Sequence, residues 1–337
     1  RRRLWWRNAI IDCMFMATWF IFATSLSLYN KWMFSPTKYG FPNPLFVTMM
    51  HMFVQWGLSG LLRTLKPETF RSARTPERAD YIKRAMPTGI TTGMDIGLSN
   101  LSLKTVTLSF YTMCKSSTLI FVLFFAFIFK LEVFSYRLIG VMFLIFVGTL
   151  LMVATETAFN MLGMFLVIAA SAAGGLRWAL TQILLVGKSG KRMGMDNPAS
   201  SIFWLAPTMG VTLAILSLLI EGWGDLFWGK GSKFWVSVGT TFQTLVFLIS
   251  PGVLAFVMVM SEFYIIQRVG MVPMSVAGIF KEVTTISLSA WVFGDEITPV
   301  NMVGVGITFI GIGLFTHHKY LKSVHSSTPL DAHGNPI

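Results

Sequence analysis

The chain has 337 residues, of which 54% are hydrophobic and only 12% charged, with a mean hydropathy of +0.64. A soluble domain carries about 25% charged residues, so these proportions exclude a water-soluble enzyme, a secreted disulfide scaffold and a disordered chain. The net charge of +12 raises the question of nucleic acid, but the cations sit in short segments between apolar runs rather than in an aromatic-interleaved stripe, which argues against that partner.

Ten apolar runs, each near the roughly 20 residues that a bilayer-crossing helix needs, are read at 9–30, 42–62, 85–103, 106–129, 138–155, 159–186, 198–220, 240–266, 273–293 and 299–317. Breakers separate them: Pro42, Pro44, Pro87, Asn197-Pro198, Pro273 and Thr298-Pro299, with proline suited to a first helical turn. The stretch from Glu221 to Trp235 reads as an aromatic loop whose Trp223, Phe227, Trp228, Phe234 and Trp235 suit a membrane interface. The residues beyond Lys319 form a polar tail, and no cleavable signal peptide is read at the start. The expected fold is therefore all-α and integral to the membrane.

Lys and Arg fall unevenly on the two sides of such a chain. The N-terminal segment, the even-numbered loops and the tail hold nineteen; the odd-numbered loops hold five, namely Lys31, Lys38, Lys104, Lys230 and Lys233. Positive charge marks the cytosolic side, so both termini are expected in the cytosol.

The sequence also repeats itself weakly. Phe129-Lys-Leu-Glu132 and Gly140 recur as Phe293-Gly-Asp-Glu296 and Gly304, each 164 residues later, and Lys115 and Lys281 stand 166 apart. That offset is about half the chain. Duplicating an odd number of spans inverts the second copy, so the expectation is two inverted five-helix repeats, residues 1–156 and 157–318, followed by the cytosolic tail 319–337.

The informative residues are ionisable groups inside apolar runs: Asp95, Lys115, Arg177, Glu262, Lys281 and Glu282. Such a group at a helix centre costs about 2.5–3.5 kcal/mol, so each must face a cavity or a partner. One reading is a set of internal ion pairs, Asp95 and Glu262 among them. The other makes Lys115 and Lys281, at similar places in the two repeats, converge on one cavity and hold phosphate. Tyr111 and Thr118 share the Lys115 face, and Thr285 and Ser289 continue the Lys281 face. Arg177, after Gly174-Gly175, offers a bidentate phosphate contact.

Other motifs carry less. Gly187-Lys188-Ser189 lacks the earlier glycine of a phosphate loop. His317-His318 has no third ligand, Cys13 and Cys114 allow no disulfide framework, and Asn100-Leu101-Ser102 lies too near the membrane for glycosylation. No metal or organic cofactor is expected. Small residues such as Ser171 and Gly175 fit either a homodimer contact or packing within one chain.

The ninth run, Ser275-Val-Ala-Gly-Ile-Phe-Lys281-Glu-Val, followed by Phe293-Gly-Asp-Glu296, resembles the triose-phosphate-translocator-like branch of solute carrier family 35, within the drug/metabolite transporter superfamily. Ser109-Phe-Tyr-Thr-Met-Cys-Lys115-Ser is similar to the branch's first-half counterpart, and Asn30-Lys31 closes the first helix as in that branch. Within it the chain is most like fungal relatives of the GDP-fucose-transporter-like C2 member. The resemblance implies a Golgi or ER antiporter that exchanges a cytosolic nucleotide-sugar for a luminal nucleoside monophosphate, with Lys115 and Lys281 on the substrate phosphate. Glu282 stands where plastid phosphate translocators carry arginine, which favours a nucleotide-sugar over triose phosphate. Phe203-Trp-Leu-Ala206 and Phe280 stand where GDP-mannose carriers have asparagine.

The expected function is thus secondary antiport of a phosphorylated sugar ligand by alternating access, not enzymatic catalysis. Its expected partners are a nucleotide-sugar or other organic phosphate, a nucleoside monophosphate or phosphate as counter-substrate, and the lipid bilayer. The expected substrate-binding residues are Lys115, Lys281, Tyr111, Arg177, Thr285 and Glu282. The rival readings are a non-transporting regulator, in which Glu282 neutralises Lys281, a triose-phosphate carrier, and an intramembrane enzyme acting on a lipid-linked sugar.

Overall fold

The computed structural model describes residues 2–34, 38–72, 74–102, 111, 114–115, 117–152, 160–186, 193–229, 232–293 and 298–325. Among these residues there is no strand. The principal helices are α1 (Arg2–Phe34), α2 (Pro44–Leu65), α3 (Met86–Ser102), α4 (Thr118–Ile128), α5 (Tyr136–Met152), α6 (Met161–Val186), α7 (Pro198–Ile220), α8 (Val238–Val269), α9 (Met271–Phe293) and α10 (Pro299–His325). Five of them hold a segment long and apolar enough to cross a membrane: Trp6–Leu26 within α1, and α2, α6, α7 and α8; α4, α5, α9 and α10 contain shorter apolar stretches.

Chain breakers start the helices as their chemistry requires. Pro44, Pro198 and Pro299 each open a helix, where a missing N–H loses nothing. Asn197 caps α7 by accepting from Ala199 N–H at 2.9 Å, and Asn160 accepts from Gly163 N–H at the start of α6. A π-helical turn over Tyr81–Ala85 precedes α3. It lies directly before Pro87, which cannot donate to the preceding turn. The helices also reach beyond the apolar runs: α1 begins at Arg2, and α10 continues through His317 and His318 to His325.

The chain packs as two compact units, each drawn from both halves of the sequence. The first comprises Arg1–Met16, Leu101–Ala179 and Ile265–Ile337; the second comprises Ala17–Asn100 and Leu180–Tyr264.

In the second unit, glycines let helices meet backbone to side chain. Gly89, Gly93 and Gly97 form a ridge on α3, and a Cβ on each would lie 2.7 Å from Thr208, 2.7 Å from Thr212 and 2.6 Å from Leu216 on α7. Helix α2 packs on α7, where Gly60 meets Phe203, and on α8, where Gly252 faces Val54. Prolines inside α7 and α8 disturb their hydrogen-bond ladders. The Phe247 carbonyl, which Pro251 cannot bond, accepts from Tyr29 O–H at 2.9 Å. The Trp204 carbonyl, in the turn containing Pro207, accepts from Tyr81 O–H at 3.0 Å.

The expected aromatic loop folds into two short helical turns, Trp223–Phe227 and Ser232–Phe234. Phe234 is buried against Tyr39 and Phe41, while Trp228 is exposed. On the other side of the sequence, residues 69–72 are tied to the start of α7: Asn197 Nδ2 donates to Thr69 O, Ser200 Oγ to Phe70 O, and Ser72 Oγ to Asp196 Oδ1. Gly194 belongs to this junction, with φ +66° and Arg74 O where a Cβ would stand.

In the first unit, α4 packs on α9 and α5 on α10 around buried Leu119, Val122, Ile145, Val276, Ile279 and Val283. Gly148 lies so close to α10 that a Cβ would sit 2.7 Å from Thr308 N. Gly140, which the repeat matched with Gly304, has open space instead. Phe129-Lys-Leu-Glu132 is the stop signal of α4: Lys130 takes φ 54°, and Leu131 and Glu132 N–H both donate to Ala126 O. Of its partner in the repeat, Phe293-Gly-Asp-Glu296, residues 294–296 lie outside the described residues.

Two variants test this packing by thermal unfolding in detergent. Gly93→Val should lose about 1–3 kcal/mol, because overpacking must part α3 from α7; an unchanged midpoint contradicts the ridge. Lys130→Gly should gain about 1 kcal/mol by removing a side chain from left-handed backbone.

Candidate functional site

The helices carrying the expected cations come together in the first unit. Lys115 lies on helical backbone just ahead of α4, Lys281 in the middle of α9, and Arg177 in the second half of α6. Helix α4 packs on α9. Helix α6 reaches α4 at Gly175, where a Cβ would stand 2.8 Å from Phe121 Cβ, and reaches α9 where Gly278 faces Trp178 at 3.8 Å. Tyr111, Lys115, Arg177 and Lys281 are all half-buried, and each is engaged by neighbours. Arg177 holds its guanidinium carbon 5.2 Å from the centre of the Trp178 ring.

Close to Lys115 in the chain are two buried hydroxyls, Ser117 Oγ and Thr118 Oγ1, with no hydrogen-bond partner among the described residues. A cation followed by two unsatisfied hydroxyls is what a phosphate oxygen requires of its surroundings. Thr118 was legible as part of the Lys115 face; Ser117 was not, because it departs from the one-turn spacing.

The backbone of Glu282 and Thr285 belongs to α9, but their side chains lie outside the described residues, as does that of Ser289. Asp95 and Glu262 belong to the second unit and are 8% and 6% exposed. Ser171 and Gly175, read as either a dimer face or internal packing, are buried in the first unit, Gly175 against α4. Internal packing is what occupies them. Phe203 lies 4.1 Å beneath the Arg63 guanidinium, and Phe280 packs edge-on against Phe309.

Two polar arrangements gave no sequence signal because their members are far apart in the chain. Asp12 and Arg268 form an ion pair in the first unit with side chains 14% and 13% exposed. Glu221 caps α2 from across the second unit, accepting from Leu45 N–H at 2.7 Å and Phe46 N–H at 3.1 Å. An anion there also meets the positive end of the α2 dipole.

Comparison with known proteins gives a consistent result. The Triose-phosphate Transporter family pattern matches residues 11–316. A probable sugar phosphate/phosphate translocator of Arabidopsis thaliana is 36% identical over 91% of this chain and 73% of its own length. The putative nucleotide-sugar transporter YMD8 of Saccharomyces cerevisiae is 29% identical over 96% of this chain and 89% of its own. UDP-galactose transporter 1 of Arabidopsis thaliana is 27% identical over 90% and 86%. One solved crystal structure shares the fold, with a TM-score of 0.56 at 14% identity, covering 90% of this chain and 98% of that one.

Thr118→Val, which keeps the side-chain shape and removes an unsatisfied hydroxyl, should leave thermal stability unchanged or raise it by about 1 kcal/mol. A lowered midpoint would show that the hydroxyl serves the fold.

Proposed function

Because the chain belongs to the Triose-phosphate Transporter family, whose members are membrane transporters rather than enzymes, we propose that it exchanges a nucleotide-sugar for a nucleoside monophosphate by alternating access. The observation that carries the proposal is the packing of α4 on α9, which joins the helices associated with Lys115 and Lys281 in one unit. In this reading the two ammonium groups hold the ligand phosphates. Arg177 assists them, Tyr111 meets the base or sugar, and Thr285 and Glu282 line the α9 side. The empty carrier must cross less readily than the loaded one for exchange to be obligatory. Repulsion between two lysines without an anion supplies such a barrier.

The packing also supports an inverted repeat of five helices. Helix α2 lies on α7, α4 on α9 and α5 on α10, each pair five helices apart. Each compact unit is correspondingly assembled from both halves, as an internal two-fold would require. Ten spans with both termini cytosolic follow from that symmetry and from the distribution of Lys and Arg. A Golgi or ER membrane fits relatives that carry nucleotide-sugars.

A second reading, transport of a sugar phosphate against phosphate, is favoured by the 36% identity to the probable sugar phosphate/phosphate translocator. The two readings share the site and differ in the ligand.

Counterflow into proteoliposomes distinguishes them. UDP-galactose, GDP-mannose and triose phosphate are offered from outside, with UMP, GMP or phosphate inside. Nucleotide-sugar uptake driven by its own monophosphate is expected; uptake of triose phosphate alone selects the second reading. Lys115→Ala and Lys281→Ala should each lower exchange by about 10- to 100-fold, the worth of a charge-assisted hydrogen bond. Undiminished exchange in either variant refutes the site, and folded protein with no flux for any ligand refutes transport in favour of a regulator.

A further inference from the structure

Two arginines at the C-terminal end of α2 stand close together, and among the described residues neither has an acid for a partner. Arg63, in the last turn of α2, is half-buried. Its guanidinium carbon lies 4.1 Å above the centre of the Phe203 ring and 5.7 Å from that of Trp204, both on α7. Gly60, one turn earlier, makes room for this, because a Cβ there would come within 3.3 Å of the Phe203 ring. Arg71 is exposed and near enough for its charge to act on Arg63. Arg84, by contrast, has Asp80 at 3.8 Å, whereas Arg63 and Arg71 make no ion pair among the described residues.

The two charges are held together by the fold of the second unit. Ser200 Oγ donates to Phe70 O at 2.9 Å and accepts from Ser72 N–H at 3.3 Å, so one hydroxyl fixes the backbone on both sides of Arg71. Trp204 follows Ser200 by one turn on the same face of α7, which brings Arg71 beside the place where Arg63 stacks. The surroundings are also short of acceptors. Arg63 Nε and Trp204 Nε1 are buried donors with no partner among the described residues. Cations that serve only to orient a membrane protein need no such placement. Two like charges fixed side by side, with donors in excess, are instead what an oxyanion requires, and the planar guanidinium fork matches a phosphate.

The position of the pair indicates which phosphate. Helix α2 is long and apolar enough to cross a membrane, and its last turn stands where a bilayer has its headgroups. Trp56, Gly60 and Arg63 share one face of α2. Trp56, two turns nearer the middle of the helix, is 44% exposed and packs on the same Phe203 ring at 6.0 Å. Leu65 and Ile82 are exposed as well. An anionic head at Arg63 therefore has an apolar wall continuing along α2, which suits an amphiphile and offers nothing to a free phosphate. Lys66, Arg74, Arg78 and Lys83 are exposed on the same segment and draw it toward an anionic surface.

We propose that Arg63 and Arg71 form a binding site for the phosphate of an anionic phospholipid, in the leaflet at the C-terminal end of α2. The site lies wholly within the second unit, shares no residue with the Lys115 and Lys281 set, and stands whichever phosphorylated ligand the transporter carries.

The test offers the purified full-length chain in detergent dioctanoyl phosphatidic acid, dioctanoyl phosphatidylglycerol, dioctanoyl phosphatidylcholine, glycerol phosphate and inorganic phosphate, and reads binding as thermal stabilisation. The two anionic lipids should stabilise the wild type at concentrations about tenfold below those needed for phosphatidylcholine. Arg63→Gln and Arg71→Gln should each weaken their binding about tenfold or more, as loss of a charge-assisted hydrogen bond does. Arg78→Gln and Lys83→Gln remove the same charge from the same segment and should stay within about twofold. Arg63→Lys keeps the charge without the fork and should lose most of the effect. Because Arg71 is exposed, Arg71→Gln keeps the fold, and without lipid it should melt no lower than the wild type, having lost only a repulsion. Any stabilisation by glycerol phosphate or inorganic phosphate at the transport site should be unchanged in Arg71→Gln. If it falls there as far as that of the lipids, the site takes free phosphate and the lipid is refuted. Equal losses in all four glutamine variants show diffuse attraction and overturn the site, as do a wild type that no anionic lipid stabilises and one that phosphatidylcholine stabilises equally well.

Discussion

Hydrocarbon offers no hydrogen bonds, and the rest of this structure follows from that single constraint. A polar group that leaves water must be met by another part of the chain. Interior prolines make the point. Pro251 leaves the Phe247 carbonyl without its ladder partner, and Tyr29, more than two hundred residues earlier, donates to it. Glu221 supplies the cap that the start of α2 does not receive from Asn43. Asp12 and Arg268 neutralise each other with both side chains largely buried. None of these bonds adds much net stability, but each removes a larger penalty.

Among apolar helices the hydrophobic effect gives little preference for one neighbour over another, because lipid is as apolar as leucine. Close backbone approach then decides which helices meet. The glycine ridge of α3 selects α7, Gly148 brings α5 onto α10, and Gly175 brings α6 onto α4. These contacts have a common consequence. They link helices from different halves of the sequence, so that each compact unit depends on both halves, and a substitution in one half is felt as packing against the other.

The fold class was legible because composition fixes the solvent and runs of apolar residues fix the element type. Helix starts were legible because proline and asparagine act locally. The repeat was read from Phe129-Lys-Leu-Glu132, which proves to be a helix stop, with Lys130 in left-handed backbone where the offset of 164 aligns Gly294. The motif at residues 129–132 thus reports a turn, while residues 294–296 of its recurrence lie outside the described residues. Lys115, Arg177 and Lys281 were legible as charges out of place. Ser117, Glu221, Asp12 with Arg268, and Arg63 with Arg71 were not. Their meaning lies in what is, or is not, opposite them in space, and sequence spacing carries no information on that.

The polar residues inside this protein consequently fall into two kinds. Tyr29, Tyr81, Glu221, Asp12 and Arg268 have partners within the chain, and removing one leaves the other exposed to hydrocarbon or dry protein. Ser117 and Thr118 have hydroxyls with no partner among the described residues, and even Arg268 keeps one such atom, Nη2, beside its ion pair. Groups of the first kind hold the fold together. Those of the second kind cost stability where they stand, and a transporter gains from them only when its ligand completes the bonds. Since a ligand shifts a conformational equilibrium only by its differential affinity, open donors and acceptors that are dry without ligand and satisfied with it are a direct source of that difference. The same physics that forbids stray polar groups in most of the bilayer thus sets a cost on each one that persists, and a ligand that completes its bonds removes that cost.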